Sequence, residues 1–306
     1  MRLTLALPHA LPQEALAGMA AFARLASYGR RDGIAGDLDV ALVEAAGAPR
    51  GTPIAPLAAR GAGLDPGSAY VLRADPVALV AGRDDVLLAG RVDDLEHEDA
   101  VALVGVLNAH FATDGLVFRA PRADTWFVTA LEHVPVDADP IESNEPIHPR
   151  LPRGRHGATW RRWLSEMQML LHAHPVNAAR EAAGRAPVTG IWISGGGFAP
   201  RDLRLAPIEV YAAAGRAGDV ARGLAALAGL RTNALPSSLE AADRDALFVL
   251  PAAIDAAAFA RDWLDPGVAA LERGALSGVT LLVAGTAHLR AESPSWWRRL
   301  RAKARQ

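Results

Sequence analysis

The stretch LLHAHPVNAAREAAGRAPVTGIWISGGG, from Leu170 to Gly197, sets two histidines, an asparagine and an arginine ahead of an apolar run that ends in three glycines. These residue types suit the binding of an anion. A glycine-rich turn after a strand frees backbone N–H groups to meet negative charge, and a nearby guanidinium grips a phosphate or carboxylate through paired hydrogen bonds. Asn177 and Arg180 stand three residues apart after Pro175, so on a helix they present an amide and a guanidinium on one face. Gly195, Gly196 and Gly197 supply the backbone side of such a seat, and His174 stands at its entrance. The same spacing also suits a helix cap followed by a tight connection, with Arg180 tied to Glu181 or Asp202. Both readings stand at this level.

Other chemistries find less support. His172 and His174, two residues apart, point about 200° apart on a helix and cannot chelate one metal ion as an i, i+4 pair does. The triple glycine lacks the G-x-G-x-x-G spacing of dinucleotide sites, and neither a phosphate-binding P-loop nor a G-x-S-x-G nucleophile elbow occurs. Ser194 ends a strand-like run, yet no aspartate or histidine stands at a telling position beside it. Arg73 and Asp75, in the run LRADPV, share one face of a strand; an internal ion pair competes there with a ligand role for Arg73. The chain has no cysteine, which excludes disulfides, thiolate metal sites and a cysteine nucleophile.

The elements that must position these residues follow from periodicity and punctuation. With 306 residues, 51% hydrophobic and 22% charged, the chain can bury a large core in about two domains. A formal charge of −2 gives no global field for nucleic acid or anionic membrane, and no apolar run approaches the roughly 18 residues that cross a bilayer. The basic stretch from Trp296 to Lys303 reads as a solvated helix end. The N-terminal apolar residues are broken by Pro8 and His9, so they predict a strand over 3–7 and a helix over 13–27 rather than an export signal, and a cytoplasmic protein.

From about residue 68 the pattern runs strand (68–81), strand (84–90), helix (96–112), strand (115–121), strand (124–131), the signature of a small α+β unit. The segment 134–154 holds five prolines and reads as a linker. A helix over 159–173 carries Trp160, Trp163, Leu164, Met167, Leu170 and Leu171 on one stripe. After the apolar strand 190–194, whose Ile-Trp-Ile run places it in a sheet interior, strands at 205–212, 245–251 and 279–285 alternate with helices over 217–228 and 256–273. The expected fold is α/β: a doubly wound, mostly parallel sheet built from residues 1–66 and 136–306, with a small α+β domain, 67–135, inserted.

The run HPVNAAREAAGRAPVTGIWISGGG is similar to a His-Pro-Val-Asn-x-x-Arg segment of the archaeal-type, cofactor-independent phosphoglycerate mutases of the alkaline phosphatase superfamily. The runs LRADPV, LNAHF, LPRG, EMQMLLHAHPVN and WISGGG resemble the bacterial RpfE-type regulatory proteins more closely. The resemblance spans roughly residues 52–200 and implies an alkaline-phosphatase-like core with an inserted domain. It also implies, for active members, two divalent metal ions such as Zn or Mn, a serine nucleophile, and an aspartate that ends the first strand. Here that strand ends Leu7-Pro8-His9, and Asp255, Asp262 and His288 are what remains of the later ligand series. These departures from the resemblance imply a catalytically silent relative without a metal, with a regulatory or metabolite-binding role, in which Asn177, Arg180, His174, Arg73 and the three glycines hold a phosphorylated or carboxylated small molecule; a protein partner is compatible with that role. An active metal-dependent phosphomutase or phosphatase, and a scaffold protein without a ligand, are the alternatives.

Overall fold

The computed structural model describes residues 1–31, 37–83, 85–131, 134–140, 143–239 and 244–294. The basic stretch at 296–303 lies outside them, as does Asp84 of the expected hairpin turn. The chain begins with β1 (Arg2–Leu7), α1 (Gln13–Gly18), α2 (Ala20–Tyr28), β2 (Gly29–Arg31) and α3 (Leu38–Ala45). There follow α4 (Ile54–Gly61), β3 (Tyr70–Ala81), β4 (Val86–Arg91), α5 (His97–His110), β5 (Leu116–Arg122), β6 (Thr125–Ala130), α6 (Gly157–His172), α7 (Pro175–Ala182) and β7 (Gly190–Gly197). The last third holds β8 (Glu209–Ala212), α8 (Arg216–Leu227), β9 (Thr232–Asn233), β10 (Ala246–Val249), α9 (Ala256–Phe259), a π turn (Ala260–Leu264), α10 (Asp265–Arg273), β11 (Gly278–Val283) and β12 (Ala287–Glu292). Two compact units result: Met1–Thr52 with Arg201–Gln306, and Pro53–Pro200.

The unit built from both chain ends is an α/β sheet of seven strands in the order β2-β12-β11-β1-β10-β8-β9. Strands β11, β1, β10, β8 and β9 run parallel, and β12 and β2 add an antiparallel edge. Helices cover both faces, which is why these strands are apolar on both. On one face Leu3, Leu5, Leu7, Phe248 and Leu281 pack with Phe22 and Leu25 of α2 and Leu271 of α10. The alternate residues Ala6, Leu247, Val249 and Leu282 are buried too. Helices α3 and α8 pack on each other, on β11 and on β8, which places them on that second face. The helix expected over 13–27 is two, because Met19 adopts an extended conformation with ψ of 116°. Gly29 permits β2 to pair: a Cβ there would lie 2.1 Å from the Arg290 carbonyl oxygen.

The second unit is an antiparallel five-stranded sheet organised by β3. Val71 pairs with Thr129 of β6 and Gly197 of β7; Val77 pairs with Arg91 of β4 and Gly190 of β7. Strand β7 therefore occupies one edge of β3, while β6 and β4 follow one another along the other. On one face, Leu72, Ala74, Phe118, Trp126, Ile191 and Ile193 bury against Leu103 and Leu107 of α5 and Trp160, Trp163, Met167 and Leu171 of α6. Burying one indole removes ~200 Å² from water, worth about 5 kcal/mol before entropy is counted. Helix α4 packs on β3 and β7; its Ile54 and Ala55 lie against Gly195.

This arrangement corrects two expectations. Strand β7 does not lie within the parallel sheet; it pairs antiparallel with β3, and among the described strands it pairs with β3 alone. Its Ile-Trp-Ile run is buried on both faces because the antiparallel sheet is itself covered on both faces, so the apolar run carries no information about direction. The proline-rich segment is not a free linker. The Trp160 indole donates to Val134 O at 2.9 Å, Trp192 to Asp139 O at 3.0 Å, and Asp137 bridges Arg153. Contacts accordingly group 53–66 and 136–200 with the antiparallel sheet, where the sequence drew the inserted domain at 67–135.

The ends of the segment 53–200 meet, since a Cβ on Gly197 would lie 2.3 Å from Pro53 Cβ. A fragment of residues 53–200 is expected to fold alone, with a cooperative thermal transition and a near-ultraviolet dichroism signal from its buried tryptophans. A broad, non-cooperative melt would show that the segment depends on the rest of the chain.

Candidate functional site

The residues singled out in the sequence lie on α7, on β3 and at the end of β7. Helix α6 ends at His172 and Pro175 starts a new helix, a position where its missing N–H costs nothing. His174 is the N-cap of α7: its Nδ1 accepts the Val176 N–H at 3.3 Å. Asn177 is 2% exposed. Its amide nitrogen donates to Leu171 O and Val188 O, each at 2.7 Å, and its Oδ1 accepts the Val188 N–H at 2.8 Å. One side chain thus joins the end of α6, α7 and the approach to β7.

Arg180 is 3% exposed and likewise engaged. Its Nε donates to Ala186 O at 2.9 Å, one terminal nitrogen to Asp94 O at 3.4 Å, and the other to the Asp94 carboxylate. The tying carboxylate is therefore Asp94, where the sequence offered Glu181 or Asp202. Asp94 lies 86 positions away, in an acidic run before α5, and nothing local in the sequence marks it. Nearby, Arg185 reaches Glu96 at 3.7 Å.

The three glycines continue β7 rather than forming a free turn. The pairing of β3 with β7 shifts register between Val71 and Arg73, leaving an extra residue on β7, and Gly195 has φ of +64°. That is a bulge of the kind glycine permits without strain. A Cβ on Gly196 would lie 2.6 Å from both the Tyr70 hydroxyl oxygen and Leu72 Cδ2. Packing of Tyr70, Leu72, Pro53 and α4 accounts for the glycines. Tyr70 is fixed in turn: its hydroxyl donates to Val136 O at 3.1 Å and accepts the Val136 N–H at 3.2 Å, and burial pushes its phenol up from the ordinary value.

Arg73 and Asp75 are both buried and share one face of β3 with Val71 and Val77. Arg73 stands opposite Phe127 on β6 and Ser194 on β7, and Asp75 stands opposite Trp192. The structure thus brings Arg73, Asp75 and Ser194 together on the sheet, while Asn177, Arg180 and His174 lie on and at the start of α7, each side chain bonded to its own partners.

In an open parallel sheet, ligands meet the carboxyl ends of the strands. Here β1 is followed by Pro8 and His9, β10 by Leu250 and Pro251, and β11 by Ala284 and Gly285. The sequence's remnant ligands are used otherwise. Asp255 caps α9 through the Ala258 N–H at 2.8 Å, Asp262 pairs with Arg261 at 2.7 Å, and His288 lies on β12 opposite Leu282. Among the described residues no group of three or more His, Asp or Glu side chains is placed to hold a metal ion. Apolar groups, two prolines and one imidazole do not fit a two-metal centre, which needs carboxylates and imidazoles converging on ions about 4 Å apart. No helix among the described residues is long and apolar enough to cross a membrane.

No protein-family model matches the chain. It is similar to the 2,3-bisphosphoglycerate-independent phosphoglycerate mutase of Methanosarcina mazei, 24% identical over 192 residues that make up 55% of this chain and 48% of that protein. The chain spans about half the length of the curated relatives it matches. Among solved structures, the cofactor-independent phosphoglycerate mutase of Thermoplasma acidophilum aligns with a TM-score of 0.41 and 15% identity over 95% of this chain and 88% of that one. The protein PH0037 of Pyrococcus horikoshii aligns with a TM-score of 0.48 and 16% identity, over 95% and 87%.

Removing the Asn177 amide leaves a buried N–H and two carbonyls without their partner. Asn177→Ala is expected to lower unfolding free energy by about 2–4 kcal/mol, measured by chemical denaturation. A change below ~0.5 kcal/mol would show that the amide does not hold the α6–α7–β7 junction together.

Proposed function

We propose that this chain is a phosphoglycerate-mutase-like protein of the RpfE regulatory type that does not carry out phosphoryl transfer and acts instead by binding a phosphorylated or carboxylated small molecule. The carrying observation is the chemistry at the carboxyl ends of the central parallel strands: Pro8 and His9, Leu250 and Pro251, Ala284 and Gly285. Phosphoryl transfer needs charge placed where charge develops, and these residues supply at most one imidazole. The likeness to archaeal phosphoglycerate mutases supports the lineage. A polar line of Arg73, Asp75 and Ser194 buried on one sheet, and a buried Arg180 whose carboxylate partner lies at the surface, support a binding role. A site of this kind reports on a metabolite by shifting stability or partner affinity, since a ligand bound only to the native state stabilises it.

The protein is expected to purify with well under one equivalent of Zn or Mn, measured by inductively coupled plasma mass spectrometry. It is also expected to show no interconversion of 2- and 3-phosphoglycerate when either ion is added. Tightly held metal at one or more equivalents, together with turnover, would overturn the proposal in favour of an active metal-dependent mutase.

A further inference from the structure

Arg180 and Asp94 are exposed to very different extents. The guanidinium is 3% exposed, whereas the side chain of its carboxylate partner is 59% exposed. The backbone carbonyls of Ala186 and Asp94 accept an N–H each, from Nε and from one terminal nitrogen, and fix the guanidinium plane. A desolvated cation must keep a counter-charge, because an uncompensated buried charge is strongly unfavourable. Here that counter-charge is one carboxylate at the surface, carried on the segment that leads into α5.

We propose that Arg180 is a carboxylate-binding seat that the chain keeps filled with its own Asp94, and that a ligand carboxylate enters by exchange with it. The inference rests on the anion-binding reading above and names the regulation of that site. The exchange asks that the Asp94 side chain, which is itself exposed, give way to an incoming carboxylate at a guanidinium already held by two backbone carbonyls. The neighbourhood selects the ligand. Asp93, Glu96, Glu98 and Asp99 crowd the same segment, where Arg91 pairs with Asp93 and Arg185 with Glu96. That density of negative charge disfavours a phosphate dianion and leaves a singly charged carboxylate as the matching class. Exchange also has a structural consequence. Releasing the Asp94 carboxylate loosens the tie between α7 and the segment before α5, which the Asp94 carbonyl and the Arg185–Glu96 pair continue to hold.

The test uses the full-length protein with acetate as probe and chloride at equal ionic strength as reference. Asp94→Ala is expected to melt below wild type and to recover with acetate, half-maximal at a concentration at least ten-fold below that needed to shift wild type. The double variant Asp94→Ala/Arg180→Met is expected to show no acetate-specific recovery. Asp94→Asn, which keeps the shape without the charge, replaces Asp94→Ala if the latter does not fold. Equal acetate responses in all variants, no response in the Asp94 variants, or a larger response to phosphate than to acetate would each overturn the proposal. Mutase turnover would remove the silent reading while leaving the acetate result unchanged, so the two failures are distinguishable.

Discussion

A strand of twelve residues buried along most of its length cannot leave either edge of its backbone unpaired. Strand β3 meets that constraint with three partners, and the architecture of residues 53–200 follows from how it does so. Strands β6 and β4 share one edge because each is only six residues long. The other edge is taken by a segment more than a hundred residues downstream, β7. Bringing β7 there requires the proline-rich strap, α6 and α7 to fold back over the same sheet. Trp160 and Trp192 fasten the strap with their indole N–H groups while their rings sit among apolar neighbours. The bulge at Gly195 and the bare Cα of Gly196 then let the end of β7 pass between α4 and the Tyr70–Leu72 side chains.

The polar residues obey a related rule: inside a protein, a hydrogen-bonding group that leaves water must find a partner. An amide and a guanidinium spaced to grip a ligand are equally suited to grip backbone carbonyls. Asn177 satisfies its acceptor and both donors within the fold, and Arg180 anchors two carbonyls and a carboxylate. The two differ in one respect. The partners of Asn177 are backbone groups that cannot leave without unfolding the junction, whereas the principal partner of Arg180 is a side chain at the surface.

The core of a fold and the residues at its strand ends use different atoms. The parallel sheet is held by Leu3, Leu5, Phe248, Leu281 and the helices that cover them. Residues just beyond the strand ends, such as Pro8, His9 and Pro251, lie outside that core, so the chemistry at the strand ends is set independently of the packing.

Composition, periodicity and punctuation in the sequence were enough for the α/β class, the strand–helix alternation after residue 205, the strand and helix content of 68–131, and the Trp160–Leu171 stripe of α6. These are local signals, set by how side chains repeat along a helix or a strand. Three matters lay beyond it. The direction and sheet of β7 were hidden because a strand covered on both faces reads the same in parallel and antiparallel sheets. The proline-rich strap looked like a linker because its bonds come from distant tryptophans. The partner of Arg180 was invisible because an ion pair across 86 positions leaves no trace in spacing. Residue types determined which hydrogen bonds Asn177 and Arg180 of α7 are able to make; only the tertiary structure decided that the chain itself supplies the partners, since burial makes an internal partner obligatory.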